Sequence, residues 1–263
     1  MILLIYHEIS NCKSALTISP SLFREHLNVL RQADVEVAPL SAVTRQSLIS
    51  SPATVCITFD DGYSGVVEHG VPALLDAGMT ATVFCVSGYL GREPSWPTGR
   101  VPGWLRTFGV GDMRQLASNG FEVGSHTHTH APLHTLSPGG VLSELRRSKE
   151  SLQDLLETQI ECFAYPYNEI GESRVQAAVR SVYRIGCQGG NRAARACDPL
   201  HILPRVDAHY LRDPNRMSEV LSRATARYLF ARRHLARLRR LAIRDYINPD
   251  IEREKPAMRS RQP

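Results

Sequence analysis

The sequence predicts an α/β fold, a closed and somewhat irregular parallel barrel followed by a basic helical tail. Three observations lead there. Short apolar or β-branched runs alternate with stretches of helical periodicity through about seven strand-helix steps. With 263 residues and 43% hydrophobic content, the chain has the size and core of one barrel domain and needs no second. The polar residues that punctuate the runs, His7, Asp60, Asp61, His126, Tyr167 and Arg205, each follow the end of a strand. In a parallel barrel those ends form one rim, where such folds keep their active sites.

Residues 2–6 read as the first core strand, ending at His7. The opening is too short for a signal peptide and lacks its basic region. Ser19 and Pro20 start a helix over 20–33 with Phe23, Leu27 and Leu30 on one face. A strand over 54–58, a helix over 70–77 closed by Gly78 and a strand over 81–86 continue the rhythm. It breaks at 87–111, a loop rich in Gly and Pro that carries Trp96 and Trp104. Such a tryptophan either stacks on a sugar ring or packs on its own domain. A short helix at 112–119, stopped by Gly120, precedes a strand at 121–123 that runs into Gly124, Ser125 and His126. Ser137 caps a helix with Pro138 at its first position and a stripe of Val141, Leu145, Leu152 and Leu155. The body ends with a strand at 161–164, a helix at 172–183, a strand at 184–187 and a last strand at 201–203.

Charge divides the chain. From Arg216 to Pro263 there are 13 Lys and Arg against 5 Asp and Glu, a net of +8, which leaves −3 (18 against 21) for the rest. Residues 1–216 therefore read as the domain and 217–263 as a basic amphipathic helix and tail. Leu221, Ala224, Tyr228, Ala231, Leu235 and Leu238 recur at helical spacing among many arginines, and the last dozen residues read as disordered. Such a stripe suits packing on the barrel at its start and peripheral contact with an anionic membrane surface further on. The body lacks the basic footprint of a nucleic-acid binder. Six scattered cysteines without a CxxC pair, and no run of roughly twenty apolar residues, point to reduced thiols and a cytoplasmic location, peripheral to the inner membrane face if the tail docks there.

The stretch VCITFDDGY at 55–63 delivers Asp60 and Asp61 to the end of a buried strand. Adjacent carboxylates repel, so both persist only with a cation, a shared proton or a division of labour, a metal ion being the simplest answer. A polar turn with Gly62 at positive φ is the plainer reading. GSHTHTH at 124–130 supplies imidazoles: His126 and His130 share a face in a helical turn, whereas His128 alternates with them in an extended segment. Two His and one Asp would leave coordination positions open for water and substrate.

TFDDG at 58–62, SHTHTH at 125–130 and FAYPY at 163–167, in that order and spacing, resemble the polysaccharide deacetylase family, the NodB homology domain of carbohydrate esterase family 4. The resemblance covers roughly residues 2–216. It implies a distorted (β/α)7 barrel and metal-assisted hydrolysis of N-acetyl groups from an amino sugar. It further implies Asp61, His126 and His130 as ligands to Zn²⁺ or another divalent metal, Asp60 as general base, and the Tyr167 backbone N–H as a donor to the oxyanion. The chain departs from the family pattern at Ala164, where an arginine is usual, and lacks a late Leu-X-His segment. The opening LIYH resembles the poly-N-acetylglucosamine deacetylase branch, which makes His7 the candidate general acid, with His209 as a rival. Arg205 is a candidate to orient Asp60. A non-catalytic carbohydrate-binding relative and a hydrolase of another amide or imide are the alternatives, and the substrate is a polysaccharide, or a nucleotide-linked, lipid-linked or small glycoside.

Overall fold

The computed structural model describes residues 1–50, 54–96 and 105–221. Trp104 and nearly all of the basic tail, with the amphipathic and membrane-contact readings placed on it, lie outside these residues.

The strands are β1 (Ile2–Tyr6), β2 (Glu8–Ile9), β3 (Thr17–Ile18), β4 (Glu36–Val37), β5 (Thr54–Phe59), β6 (Thr82–Cys85), β7 (Glu122–Ser125), β8 (Cys162–Ala164), β9 (Ile185–Gly189) and β10 (Leu203–Asp207). Between them run α1 (Pro20–Gln32), α2 (Arg45–Ser50), α3 (Val71–Asp76), α4 (Val110–Ser118), α5 (Pro138–Leu156) and α6 (Ser173–Val182), and α7 (Pro214–Leu221) follows. Seven strands close in the order β1-β5-β6-β7-β8-β9-β10, back to β1, all in parallel. Closure rests on β1 against β5, in register from Ile2 opposite Val55 to Tyr6 opposite Phe59. The other edge of β5 is shared, with β4 beside Thr54 and Val55 and β6 beside Thr58 and Phe59.

Alternation along the strands sorts two cores. Leu3, Cys56, Phe84, Cys162, Ala164, Ile185, Cys187 and Leu203 fill the barrel interior. Their neighbours Leu4, Ile57, Val83, Phe163 and Val206 face the helices, against Phe23 and Leu27 of α1, Leu116 of α4, Leu145 and Leu152 of α5, and Val175 and Val179 of α6. Met217 and Val220 of α7 join this outer layer. The expected caps form: Ser19 accepts from Leu22 N and Ser137 from Gly140 N, each followed by proline. Four of the six cysteines are buried as small apolar groups, and among the described residues no helix is long and apolar enough to cross a membrane.

The last strand needs correcting. Residues 201–203 are expected as a strand ending before Arg205, but His201 sits in a 3-10 turn (Leu200–Ile202) and β10 runs from Leu203 to Asp207. Pro204, which has no N–H to donate and is unfavourable within a sheet, nonetheless occupies β10 opposite Gln188. Arg205 is therefore inside the strand, with its side chain fully buried.

One buried pair sets an acid limit on stability. His26 of α1 receives the Tyr6 hydroxyl at Nδ1 (2.9 Å) and donates from Nε2 to Leu211 O (3.0 Å), which requires the neutral ring. Burial lowers its pKa to about 4. Below its unfolded value of about 6.5 the unfolded chain takes up a proton that the folded chain refuses, so this stability is complete above that pH and lost as pH falls toward 4. The loss amounts to about 3 kcal/mol across the window. Urea unfolding at pH 7 and pH 5 is expected to show a steeper acid decline for the natural chain than for His26→Gln; equal declines would remove His26 as the cause.

Candidate active site

The site forms where β5, β7 and β8 end. After Phe59 the chain turns sharply, with Asp61 (φ 71°) and Gly62 (φ 70°) both left-handed. This conformation is natural for glycine and tolerated by aspartate. The turn places Asp60 and Asp61 on different tasks. Asp61 Oδ1 lies 3.5 Å from His126 Nε2 and 3.2 Å from His130 Nε2, and all three side chains are buried. His126 and His130 converge through neither a helical turn nor an extended strand. Left-handed residues at Thr127 (φ 68°) and His130 (φ 60°) fold the segment back on itself. His128 points elsewhere, with Nδ1 2.9 Å from Ser87 Oγ.

Several groups hold this loop. His126 N donates to Cys85 O, and His126 Nδ1 donates to Ala164 O at 2.8 Å, leaving the Nε2 lone pair toward Asp61. Just before it, Ser125 Oγ meets Ser148 Oγ (2.7 Å) and the Tyr183 hydroxyl (2.8 Å). The Glu144 carboxylate of α5 accepts from His128 N (3.0 Å), Thr129 N (2.9 Å) and Thr129 Oγ1 (3.0 Å). No spacing in the sequence marks Glu144, which there resembles any solvated charge on an amphipathic helix.

Asp60 faces the barrel interior. Arg205 Nη1 and Nη2 each donate to one of its oxygens at 2.7 Å, and Nη1 also reaches Thr58 Oγ1 at 2.9 Å. Thr58 in turn donates to Leu4 O. Burial alone would raise the Asp60 pKa, but the Arg205 charge, with His126 and the Arg205 hydrogen bonds, holds the carboxyl below its usual value. His7, half-buried directly after β1, adds to the same effect. Burial likewise opposes ionisation of Asp61, but the two imidazoles that face it, His126 and His130, outweigh burial and keep that carboxyl well below the usual range.

The donor set fits a divalent cation. Asp61, His126 and His130 offer ligand atoms within 4.8 Å of one another, and Asp61 Oδ1, though buried, has no hydrogen-bond partner among the described residues. A buried carboxylate oxygen facing the lone pairs of two imidazoles is the donor set that a divalent cation satisfies. Three protein ligands leave positions open, as hydrolytic sites require.

Tyr167 adopts φ 57°, ψ 12° after β8; the residue is 40% exposed, and its ring stands edge-on to His130. His209 lies in the turn after β10, where its N–H donates to Asp207. Trp96 is buried against its own domain and stacked on His130.

The family model described as polysaccharide deacetylase matches residues 49–186, just over half of the chain. This chain belongs to the polysaccharide deacetylase family. The match contains Asp60, Asp61, His126, His130 and Tyr167, while His7 and Arg205 lie outside it. Among polysaccharide deacetylases, the Bacillus subtilis (strain 168) protein YxkH, named for that family, is 27% identical over 207 residues, 78% of this chain and 70% of its own. The fold matches that of the Streptococcus pyogenes deacetylase PplD, solved with acetate, at a TM-score of 0.72 and 22% identity over 84% of this chain and 97% of PplD. IcaB from Ammonifex degensii matches at a TM-score of 0.63 and 21% identity, over 82% and 96% of the two chains.

Proposed function

We propose that this chain is a metal-dependent N-deacetylase that hydrolyses the acetamide of an N-acetylated amino sugar in a glycan or glycoconjugate. The observation that carries the reading is the side-by-side placement of a buried Asp61–His126–His130 donor set and a buried carboxylate, Asp60, ionised by Arg205. Asp61, His126 and His130 would hold the divalent ion, with zinc as the proposed identity. Bound there, the ion supplies Lewis acidity and lowers the pKa of water. Asp60 accepts the proton of the attacking water, since it is ionised and lies beside the ligands without joining them. Arg205 fixes both oxygens of that base by a two-pronged bond. The Tyr167 N–H, presented by the left-handed turn after β8, donates to the carbonyl oxygen as negative charge develops there. His7 delivers the proton that the leaving amine requires. The basic tail is proposed to touch an anionic membrane surface from its cytoplasmic side.

Acetate release by the zinc-reconstituted chain from N-acetylglucosamine oligomers, nucleotide sugars and a glycolipid extract tests the activity. Release that ceases when the metal is stripped and returns on its readdition is the expected result. A zinc-loaded protein that cleaves none of these substrates would favour a carbohydrate-binding role.

A further inference from the structure

The two imidazoles facing Asp61 are held by different forces. His126 is fixed in tautomer and ring plane by the hydrogen bond from Nδ1 to Ala164 O. His130 Nδ1 has no hydrogen-bond partner among the described residues. Its ring is clasped by aromatics instead. Trp96 lies flat against it, with centroids 4.7 Å apart and planes 21° apart, and Tyr167 meets it edge-on at 4.6 Å and 74°. Tyr63 also stacks on Trp96, at 6.5 Å and 27°, while Tyr89 abuts the indole edge-on at 5.0 Å and 82°. Trp96 comes from the loop after β6 and His130 from the loop after β7, so the stack joins two rim segments at a ligand.

We propose that Trp96 is a positioning residue for the metal, its indole face setting the plane in which His130 presents Nε2 toward Asp61. This rests on the metal-site reading above. An imidazole without a hydrogen bond at its far nitrogen turns freely about its ring torsion unless a neighbour restrains it, and hydrogen bonds at that nitrogen are the usual restraint for a ligand histidine. A flat indole restrains the plane by contact. Its electron-rich face also favours a ring that gains positive character when it coordinates a cation. The contact with His130 is made by the stacked indole face and not by a hydrogen bond from Trp96 Nε1. The face of the ring is what His130 uses, so phenylalanine should replace it better than an aliphatic residue of similar bulk.

Calorimetric titration of the full metal-free chain with Zn²⁺ tests this, alongside the visible ligand-field spectrum of the Co²⁺-loaded protein. Trp96→Leu, which keeps apolar bulk but no ring face, is expected to bind Zn²⁺ about 10-fold more weakly and to shift the Co²⁺ bands. Trp96→Phe is expected to stay within about threefold of the natural affinity, with the bands in place. Circular dichroism of each metal-free variant separates weakened binding from unfolding. Should Trp96→Leu fail to fold, Trp96→Met takes its place with the same expectation. Unchanged affinity in the aliphatic variant, or an equal loss in Trp96→Phe, overturns the proposal while leaving the metal site standing. A natural chain that binds neither metal overturns both readings at once.

Discussion

Asp60→Asn is expected to reduce acetate release by about 10³-fold while the protein still binds a divalent metal with near-natural affinity. The division of labour between the neighbouring aspartates requires both halves of this result. Asp61 turns Oδ1 toward His126 and His130, whereas both oxygens of Asp60 are taken up by Arg205. The amide cannot accept a proton at working pH, so the base is lost. The ligand donors remain. The substituted side chain keeps one acceptor for the guanidinium but leaves it without a counter-charge, so a lower melting temperature should accompany the lost turnover. Metal content by elemental analysis, measured with acetate release on the same preparation, decides the matter. Loss of the metal from Asp60→Asn would reverse the assignment of the two carboxylates, and retained turnover would place the base elsewhere.

The sequence carried some of this arrangement more clearly than the rest. The run ending in Asp60, Asp61 and Gly62 was legible because a buried parallel strand leaves an apolar signature and its turn demands residues that tolerate positive φ. The convergence of His126 and His130 was legible as a possibility, but its geometry was not. It depends on left-handed backbone at Thr127 and His130 and on a carboxylate from Glu144, and neither leaves a periodic trace. Arg205 was expected just past a strand ending at Leu203, but β10 runs on through Pro204 to Asp207, which carries the arginine from the rim into the interior. Strands of two residues, β2 to β4, are too short for any pattern to reveal. Packing of Trp96 on its own domain was legible, but its partner His130 was not, because a loop rich in Gly and Pro fixes its side chains by tertiary contact alone.

Arg205→Met should be the most destabilising single change at the site. The guanidinium is fully buried, pairs with Asp60 through two bonds of 2.7 Å, and lies over the Phe84 ring at 5.4 Å. Removing one partner of such a pair leaves an uncompensated buried charge at a cost of about 3–5 kcal/mol. For a domain of this size that corresponds to a fall in melting temperature of roughly 10 °C. The consequence for chemistry has a definite sign. Burial raises the Asp60 pKa and Arg205 brings it down, so without the arginine the carboxyl takes up its proton at higher pH. The acid limb of the activity profile should therefore move toward neutral pH, leaving less active base under conditions where the natural chain is fully ionised. Combining Asp60→Asn with Arg205→Met separates the two effects. With neither charge left in the interior, the double variant should be more stable than the sum of the single losses predicts, as coupled partners require. Strict additivity in thermal or urea unfolding would mean that the pair is not coupled and that Arg205 stabilises the barrel through its packing against Phe84 instead.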